Sequence, residues 1–400
     1  MGAGQRRQPH HALTEEPAMP AQRTVSNEEK RDVWEAYRAG HPIRVPVLLA
    51  TNPRIILLDP ALNPKGVTFE DYFDGAETML EIGLRHACHR ANVIHRYTDD
   101  PVGLPDRWTV HVDRQNVYEA AYFGSPVVHR PGQVPDAIPW LTDDNKRAVF
   151  ERDITNPLAE GFFRDALDLC HQMQALAADR TFEGRPVDVA DYTPTGSDGP
   201  LTVAVSLRGQ GMLLDLAVDP DYAEELMAFI TQAAINRVEA LRGYWGRPHL
   251  GVGLADDAVQ LIGTRSYQSQ VLSHHQRFYA EAELPGQRRS IHLCGDATRH
   301  FGILHRELGV TSFDTGFPVD FGALRRELGP DVEILGGPEV AILLHGTPRQ
   351  VYDRTCDILR SGIKKGGRFV LREGNNLPPQ TPTDNLAAMY AACLDQGRYR

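Results

Sequence analysis

"RRSIHLCGDATRHFGILHRELGVTSFDTGFPVDFGALRRELGPDVEILGG", residues 288–337, decides the fold of this chain. Three short runs rich in apolar and β-branched residues, 288–295, 309–316 and 331–337, predict strands. The segments between them have the apolar spacing of helices. Strands that alternate with helices form a parallel sheet, because each helix returns the chain to the edge where the next strand starts.

The same alternation continues on both sides of this stretch. "LTVAVSL" (201–207) and "GRFVLREG" (367–374) predict two further strands. Helices are expected near 265–283, 348–365 and 384–396, where apolar residues recur at helical spacing. The pattern therefore covers most of the C-terminal half of the chain.

Such a sheet can be completed in two ways, as an open doubly wound sheet or as a (β/α)8 barrel. A dinucleotide-binding sheet needs a Gly-rich turn, but "GVGLADD" (251–257) lacks the third glycine at the required spacing. No GxxxxGK[ST] segment occurs. We therefore expect an α/β fold of the (β/α)8 TIM-like barrel class, formed by residues 26–400 as one domain.

The N-terminal segment differs from the rest in composition. Residues 1–25 lack the apolar core of a secretory signal, and we expect a disordered tail there. Ser26 and Glu29 have the spacing of a capping box, which predicts that the first helix begins at this point. Residues 221–242 predict a long helix with one apolar face.

Charge and cysteine content restrict the partners and the compartment. The 42 basic and 53 acidic residues give a net charge of −11, which argues against nucleic acid or an anionic membrane as the partner. No apolar stretch approaches the ~18 residues of a membrane helix. The five cysteines are scattered, which favours a reducing cytoplasm over a disulfide framework.

His292 and Cys294 are the first candidate metal ligands. Residues two apart in a strand point to the same side, so both would face the barrel interior near the strand's C-terminal end. Imidazole and thiolate are good zinc ligands, and a catalytic zinc takes three protein ligands. The alternative is a buried histidine beside a small apolar cysteine, and spacing alone favours that alternative.

Acidic residues at other strand ends are further candidates. Asp256 and Asp257 follow an apolar run, where a carboxylate can bind metal, act as a base or hold a cation. An aspartate that caps the following helix is an equally good interpretation. Asp314 and Glu339 follow later strands, where a cap or a salt-bridge partner is the commoner role.

Two histidine clusters are predicted to lie outside any metal or catalytic site. "RHACHR" (85–90) places only His86 and His89 on one side of a helix, without another ligand nearby in sequence. "SHHQR" (273–277) is similar. We expect both clusters to lie on solvated helix faces.

Several stretches together resemble the uroporphyrinogen decarboxylase superfamily over roughly residues 27–397. They include "EAAYFGSPVV", "LADDAVQL", "IHLCG" and "ELGVTSFDTG". The most specific is the C-terminal run "HGTPRQVYDRTCDILRSGIKKGGRFVLREGNNLPPQTPTDNLAAMY". The resemblance implies a (β/α)8 barrel, and it covers both haem-pathway decarboxylases and zinc methyltransferases that exchange methyl groups with corrinoid proteins.

Two motifs indicate which branch of this superfamily the chain resembles. True decarboxylases carry Arg-Gln-Ala-Gly-Arg near the N-terminus and Gly-His-Gly in the last strand's loop, where this chain has Gly374-Asn375-Asn376. The methyltransferases carry His-x-Cys and a later cysteine. His292 and Cys294 match the first part, while Asn375 stands in the place of the cysteine. The chain is therefore closer to the methyltransferase branch, with an incomplete zinc site.

The resemblance implies the following site. His292 and Cys294 would bind zinc, with a third ligand from Asp257, Glu339 or Glu373, since carboxylate is an acceptable zinc ligand. A corrinoid would be carried by a partner protein, because no cobalamin-binding segment is recognised in the sequence. The expected catalytic residues are Asp256, Asp257 and Asn375, and the expected substrate-binding residues are Asp314, Glu339 and Asn376.

Three functions remain open from the sequence. The first is zinc-assisted methyl transfer or demethylation of a small molecule with a corrinoid partner. The second is metal-independent decarboxylation of a small or pyrrolic carboxylic acid. The third is a non-catalytic barrel that binds a small molecule. A homodimer is the commonest assembly for such a protein.

Overall fold

The computed structural model describes residues 23–399 as an α/β protein. The predicted tail, residues 1–25, lies almost wholly outside the described residues. The strands are β1 (Trp108–Val110), β2 (Val127–Val128), β3 (Asp136–Ala137), β4 (Thr181–Phe182), β5 (Arg185–Val189), β6 (Leu254–Ala255), β7 (Ser290–Leu293), β8 (Ser312–Thr315), β9 (Glu333–Gly336) and β10 (Phe369–Leu371). The helices are α1 (Asn27–Arg38), α2 (Arg54–Leu57), α3 (Phe69–Asp74), α4 (Ala76–Asn92), α5 (Tyr118–Tyr122), α6 (Phe162–Ala177), α7 (Pro200–Arg208), α8 (Gln210–Val218), α9 (Pro220–Tyr244), α10 (Thr264–Ser266), α11 (Leu272–Ala282), α12 (Phe301–Leu308), α13 (Phe321–Leu328), α14 (Val340–His345), α15 (Pro348–Arg360) and α16 (Thr383–Gln396).

A five-stranded parallel sheet lies at the centre, in the order β10-β9-β8-β7-β6. Strands β7 to β10 are the predicted strands of the C-terminal half, and that prediction is confirmed. Successive strands of this sheet are joined through helices, so their carboxyl ends meet at one edge. The side chains that follow β6, β7, β8 and β10 are brought together at this edge.

Single bridges extend the parallel arrangement beyond the central sheet. Val47 pairs in parallel with Leu371 of β10, and Ser197 pairs in parallel with Leu254 of β6. Strand β1 pairs in parallel with β5 as a separate ladder. Within residues 23–399 no bridge joins the segment around Val47 to β1, so the described hydrogen bonds form a parallel sheet and do not close a ring.

The segment 201–207 is a helix, and the predicted strand is wrong. Helix α7 starts with Pro200 in its first turn, where proline's missing N–H costs nothing. Leu201, Val203 and other apolar residues on several sides of α7 are buried. A short helix that is apolar almost all round has no helical periodicity, and its sequence cannot be told from a buried strand.

The two predicted helix signals elsewhere are confirmed. Ser26 caps α1 by accepting a hydrogen bond from the backbone N–H of Glu29, 3.1 Å away, which is one half of the predicted capping box; the Glu29 side chain pairs with Arg23 and Arg44 instead. Helix α9 spans Pro220–Tyr244 and buries one long apolar face against α7 and α11. Of the described helices, none alone is long and apolar enough to cross a membrane; α7 and α8, bent by 111°, pass that test as a pair on length and composition.

Candidate metal centre

Three side chains with metal-binding atoms converge at the carboxyl edge of the sheet. One ligand atom each from Asp257, His292 and Cys294 lies within 4.8 Å of the others. All three side chains are half-buried. They come from two neighbouring strands, since Asp257 follows β6 while the other two belong to the end of β7.

The sequence of β7 explains why His292 and Cys294 share a side. Ile291 and Leu293 are 2% and 0% exposed, so they occupy the opposite, buried side of the strand. Asp257 is fixed to the same strand end, because its Oδ1 accepts a hydrogen bond from the backbone N–H of Cys294 at 2.6 Å. The second oxygen of Asp257 remains available to a ligand.

The two nitrogens of His292 face different partners. Its Nδ1 lies 2.7 Å from Oδ2 of Asp314, and its Nε2 lies 3.0 Å from Sγ of Cys294. Burial disfavours the charged imidazole, but the hydrogen bonds to Asp314 and Cys294 outweigh it and raise the pKa of His292 to about 10. Without metal, His292 is therefore a cation at neutral pH.

This raised pKa makes the stability of the metal-free protein depend on pH. The folded pKa of about 10 lies above the ordinary 6.5, so the stabilisation is complete below pH 6.5 and is lost as the pH rises through 10. In chelator, we expect His292→Gln to lower the free energy of unfolding by at most about 5 kcal/mol near pH 6. Urea unfolding should show this difference shrinking toward pH 10. A difference that grew with pH would contradict the assignment.

Arg372 bonds to two carboxylates near His292, those of Asp314 and Glu373. It is 6% exposed, and its Nη1 donates to Oδ2 of Asp314 at 2.7 Å. Its Nη2 donates to Oε1 of Glu373 at 2.9 Å and to the backbone carbonyl of Asn375 at 2.8 Å. Oδ1 of Asp314 is buried without a hydrogen-bond partner among the described residues. Asp314 thus contacts both His292 and Arg372, and it holds the imidazole on its Nδ1 side.

Residues of the last strand's loop contact Arg372, the partner of Asp314. Glu373 is 0% exposed and accepts the backbone N–H of Ala50, and its burial raises its pKa to about 8 despite the charge of Arg372. Asn375 is half-buried, and its backbone carbonyl makes the contact with Arg372. Asn376 is half-buried beside it. Within residues 23–399, the group of convergent His, Cys, Asp and Glu ligand atoms does not include Glu373.

Glu339 lies outside the group of convergent ligand atoms. Its two oxygens pair with Nε and Nη2 of Arg354 on α15, at 3.0 and 2.6 Å. The expectation that Glu339 completes a metal site or binds substrate therefore has no support in its position. A salt bridge between consecutive helices is the commoner role for such a residue.

Asp256 is a buried helix cap, in contrast to its neighbour Asp257. It is 0% exposed, and Oδ1 accepts the backbone N–H and the hydroxyl of Thr202 at 2.8 and 2.7 Å. Oδ2 accepts the backbone N–H of Leu201 at 3.2 Å and lies 2.8 Å from Nε2 of His275. Both oxygens are occupied by the first turn of α7 and by His275, so the structure does not support a catalytic Asp256.

The histidine pair of α11 is buried, and the predicted solvated face is wrong. His274 and His275 are 4% and 0% exposed. Nδ1 of His275 lies 3.0 Å from the hydroxyl of Tyr267, which stands in a π-helical turn just before α11. The other cluster is also partly buried, since His86 contacts Thr51 at 3.0 Å and burial lowers its pKa to about 4.

Two further polar residues at the site have no motif in the sequence. Arg54, on α2, is half-buried and lies close enough to Cys294 and Asp113 for their charges to act on it. Asp198, between β5 and α7, lines a cavity of about 500 Å³ together with His292 and Asp314. Their only sequence signal is their position just after extended segments, where the sites of α/β proteins form.

Comparisons with known proteins identify the family and the fold. Residues 195–395 match the model of the family described as Uroporphyrinogen decarboxylase (URO-D). Among curated proteins none matches the chain. A solved "methyltransferase from Methanosarcina mazei" matches with a TM-score of 0.62 at 17% identity, over 93% of this chain and 99% of that one. At this identity the likeness shows a shared fold.

The matched region includes Asp198, α7 to α16 and all three convergent side chains. It also spans the central five-stranded sheet. The superfamily expected from the sequence motifs is therefore confirmed. Because the match covers half of the chain, the protein belongs to the uroporphyrinogen decarboxylase family.

Proposed function

We propose that the protein is a zinc-dependent methyltransferase, which moves a methyl group from a small-molecule donor to a corrinoid carried by a partner protein. The observation that carries the proposal is the convergence of Asp257, His292 and Cys294 on one point. The methyltransferase with the same fold supports it. The motif His-x-Cys is the feature that resembles the methyltransferase branch.

The three side chains fit zinc by the chemistry of their donor atoms. Zinc binds imidazole nitrogen, thiolate sulfur and carboxylate oxygen, and catalytic sites use three protein ligands and leave one position open. Asp257 would replace the cysteine that the branch carries where this chain has Asn375. The free second oxygen of Asp257 suits this role, because Oδ1 is already held by Cys294 N–H.

The residues around the three ligands suit the same role. Asp314 accepts from Nδ1 of His292, which fixes the ring and leaves Nε2 directed at Cys294. Zinc, when bound, would supply Lewis-acid activation of the donor's heteroatom. Arg54 would place a positive charge near the Cys294 thiolate, since the two groups are close enough for their charges to interact.

We also propose that the sheet closes as the (β/α)8 barrel that the family resemblance implies. The parallel bridges from Ser197 to β6 and from β10 to Val47 support this closure. The pairing of β1 with β5 supports it as well. Under this proposal the one unbridged seam, within residues 23–399, separates the segment around Val47 from β1.

The function is tested by incubating the zinc-loaded protein with free cob(I)alamin and a panel of methyl donors, namely methanol, methylamine and methoxybenzenes. We expect methylation of the cobalamin, its loss on chelation and its return with zinc. An absence of methylation with every donor would contradict the proposal. Carbon dioxide release from a carboxylic acid in the presence of chelator would favour the decarboxylase instead.

A further inference from the structure

A second acid lies in the cavity, apart from the three convergent ligands. Asp198 follows Ser197, which bridges to β6, and precedes α7. It is partly exposed, and it shares the wall of the 500 Å³ cavity with His292 and Asp314. Ser197 pairs with Leu254 and Ala255 pairs with His292, so Asp198 stands at the level of His292 in the sheet.

The backbone of Asp198 is fixed by a buried ion pair. Its N–H donates to Oε2 of Glu119 at 2.5 Å, and Oε1 of Glu119 pairs with Nη1 of Arg237 at 2.7 Å. Both side chains of that pair are 2% exposed. Arg237 also donates to the carbonyls of Pro194 and Gly196, at 3.0 and 2.5 Å. The loop that carries Asp198 is thus held rigid, independently of the Asp198 carboxyl group.

The carboxyl group itself has little to stabilise a negative charge. The hydroxyl of Tyr118 donates to Oδ1 at 3.4 Å, a long contact, and within residues 23–399 no cation forms an ion pair with Asp198. Burial raises its pKa well above the usual range, and the charges of Glu119 and Asp257 raise it further. Arg237 opposes this, but Glu119 lies against its guanidinium.

The other acids of the site are already engaged. Asp314 accepts from His292 and Arg372, and Glu373 is enclosed behind Arg372. Both oxygens of Asp256 are bonded to α7 and His275. Among these carboxyl groups, Asp198 is the one that faces the cavity without a cation or a helix N-terminus on its oxygens.

We propose that Asp198 is the general acid of this site, which protonates the oxygen or nitrogen from which the methyl group leaves. The inference rests on the proposed function and deepens it, because it assigns the substrate class. The donor would be a methyl ether or methylamine whose leaving group needs a proton. A site built to methylate a thiol would instead need a base at this position.

The step balances with a reduced corrinoid as the methyl acceptor. The electron pair of the reduced corrinoid forms the new bond to the methyl carbon, and the pair of the breaking C–O or C–N bond goes to the heteroatom. That atom takes the proton of Asp198, which yields an alcohol, a phenol or an amine. The Asp198 carboxylate then regains a proton from water.

The test compares wild type with Asp198→Asn on ring-substituted methoxybenzenes, with free cob(I)alamin as the acceptor. We expect the variant to lose about 10²- to 10⁴-fold in rate with unsubstituted methoxybenzene. With 4-nitromethoxybenzene, whose phenolate leaves without a proton, we expect a loss of less than about tenfold. The steeper dependence on phenol acidity in the variant is the signature of a missing acid.

Each outcome decides a separate point. An equal loss with every donor, or no loss, would overturn the role of Asp198 while leaving methyl transfer intact. A wild type that methylates cobalamin with none of the donors would overturn the proposed function and this inference with it. Zinc content and circular dichroism control for folding, and the bond to Glu119 uses only the backbone N–H.

A second measurement detects the protonated carboxyl group of Asp198 without enzymatic turnover. The infrared difference spectrum of wild type minus Asp198→Asn at pH 7 should contain the C=O stretch of a protonated carboxyl group. Glu339→Gln serves as a matched control, because Glu339 is paired with Arg354 outside the site. A difference spectrum with only carboxylate bands would overturn the proposal.

Discussion

The His292→Gln protein is expected to fold, to bind no zinc and to lose methyl transfer. Its amide takes the place of Nε2, so Asp314 loses its contact with Nδ1 and keeps its bond to Arg372. The loss should exceed the roughly 10- to 100-fold that removing an outer partner of a metal ligand costs, because a ligand itself is removed. Elemental mass spectrometry and the cobalamin assay measure the two effects on the same preparation.

Glu339 provides the control for this result, because the sequence alone makes it a candidate zinc ligand. Glu339→Gln is expected to keep full zinc content and full activity, since Glu339 pairs with Arg354. Asp257→Ala is expected to behave like His292→Gln. Zinc retained in Asp257→Ala but lost in Glu339→Gln would reverse the assignment of the third ligand.

Asp256→Ala is expected to destabilise the protein by about 3 to 5 kcal/mol. The change leaves the fully buried His275 without its carboxylate and removes the acceptor from two N–H groups at the start of α7. Breaking a buried pair by deleting one partner has a cost of this size. Urea unfolding in the presence of chelator measures it.

The neighbouring aspartate provides the matched comparison. Asp257→Asn keeps an oxygen for the N–H of Cys294, so we expect its free energy of unfolding to change by about 1 kcal/mol or less. Metal binding should instead be weakened. A stable Asp256→Ala protein with normal zinc and no turnover would show that Asp256 takes part in the chemistry after all.

The central sheet could be predicted because its strands are short and bounded by clear signals. Strand β7 has Ile291 and Leu293 on one side and His292 on the other, so alternation alone identifies the strand and its buried face. Helix α7 could not be predicted, because most of its sides are buried. Its first turn is capped by Asp256, which lies more than fifty residues away in the sequence.

The site could be predicted in part. His292 and Cys294 lie within one strand end, so their proximity follows from spacing. The third partner depends on which strand lies beside β7, and sequence alone leaves Asp257, Glu339 and Glu373 equal. The register of β6 with β7 separates them, since it pairs Ala255 with His292 and brings Asp257 alongside.

Two adjacent aspartates show the same limit of prediction from the sequence. Asp256 and Asp257 differ only in the direction they face, and that direction is set by the turn that follows β6. One is buried against α7, while the other faces the ligands. The buried His275 is likewise explained by its partners Asp256 and Tyr267, of which Asp256 precedes it by nineteen positions.

The central claim is that Asp257, His292 and Cys294 hold one zinc ion. The most direct test is the zinc K-edge X-ray absorption spectrum of the zinc-loaded wild-type protein. We predict one sulfur neighbour at about 2.3 Å and nitrogen or oxygen neighbours at about 2.0 to 2.2 Å. A spectrum with no sulfur neighbour, or with two, would contradict the claim.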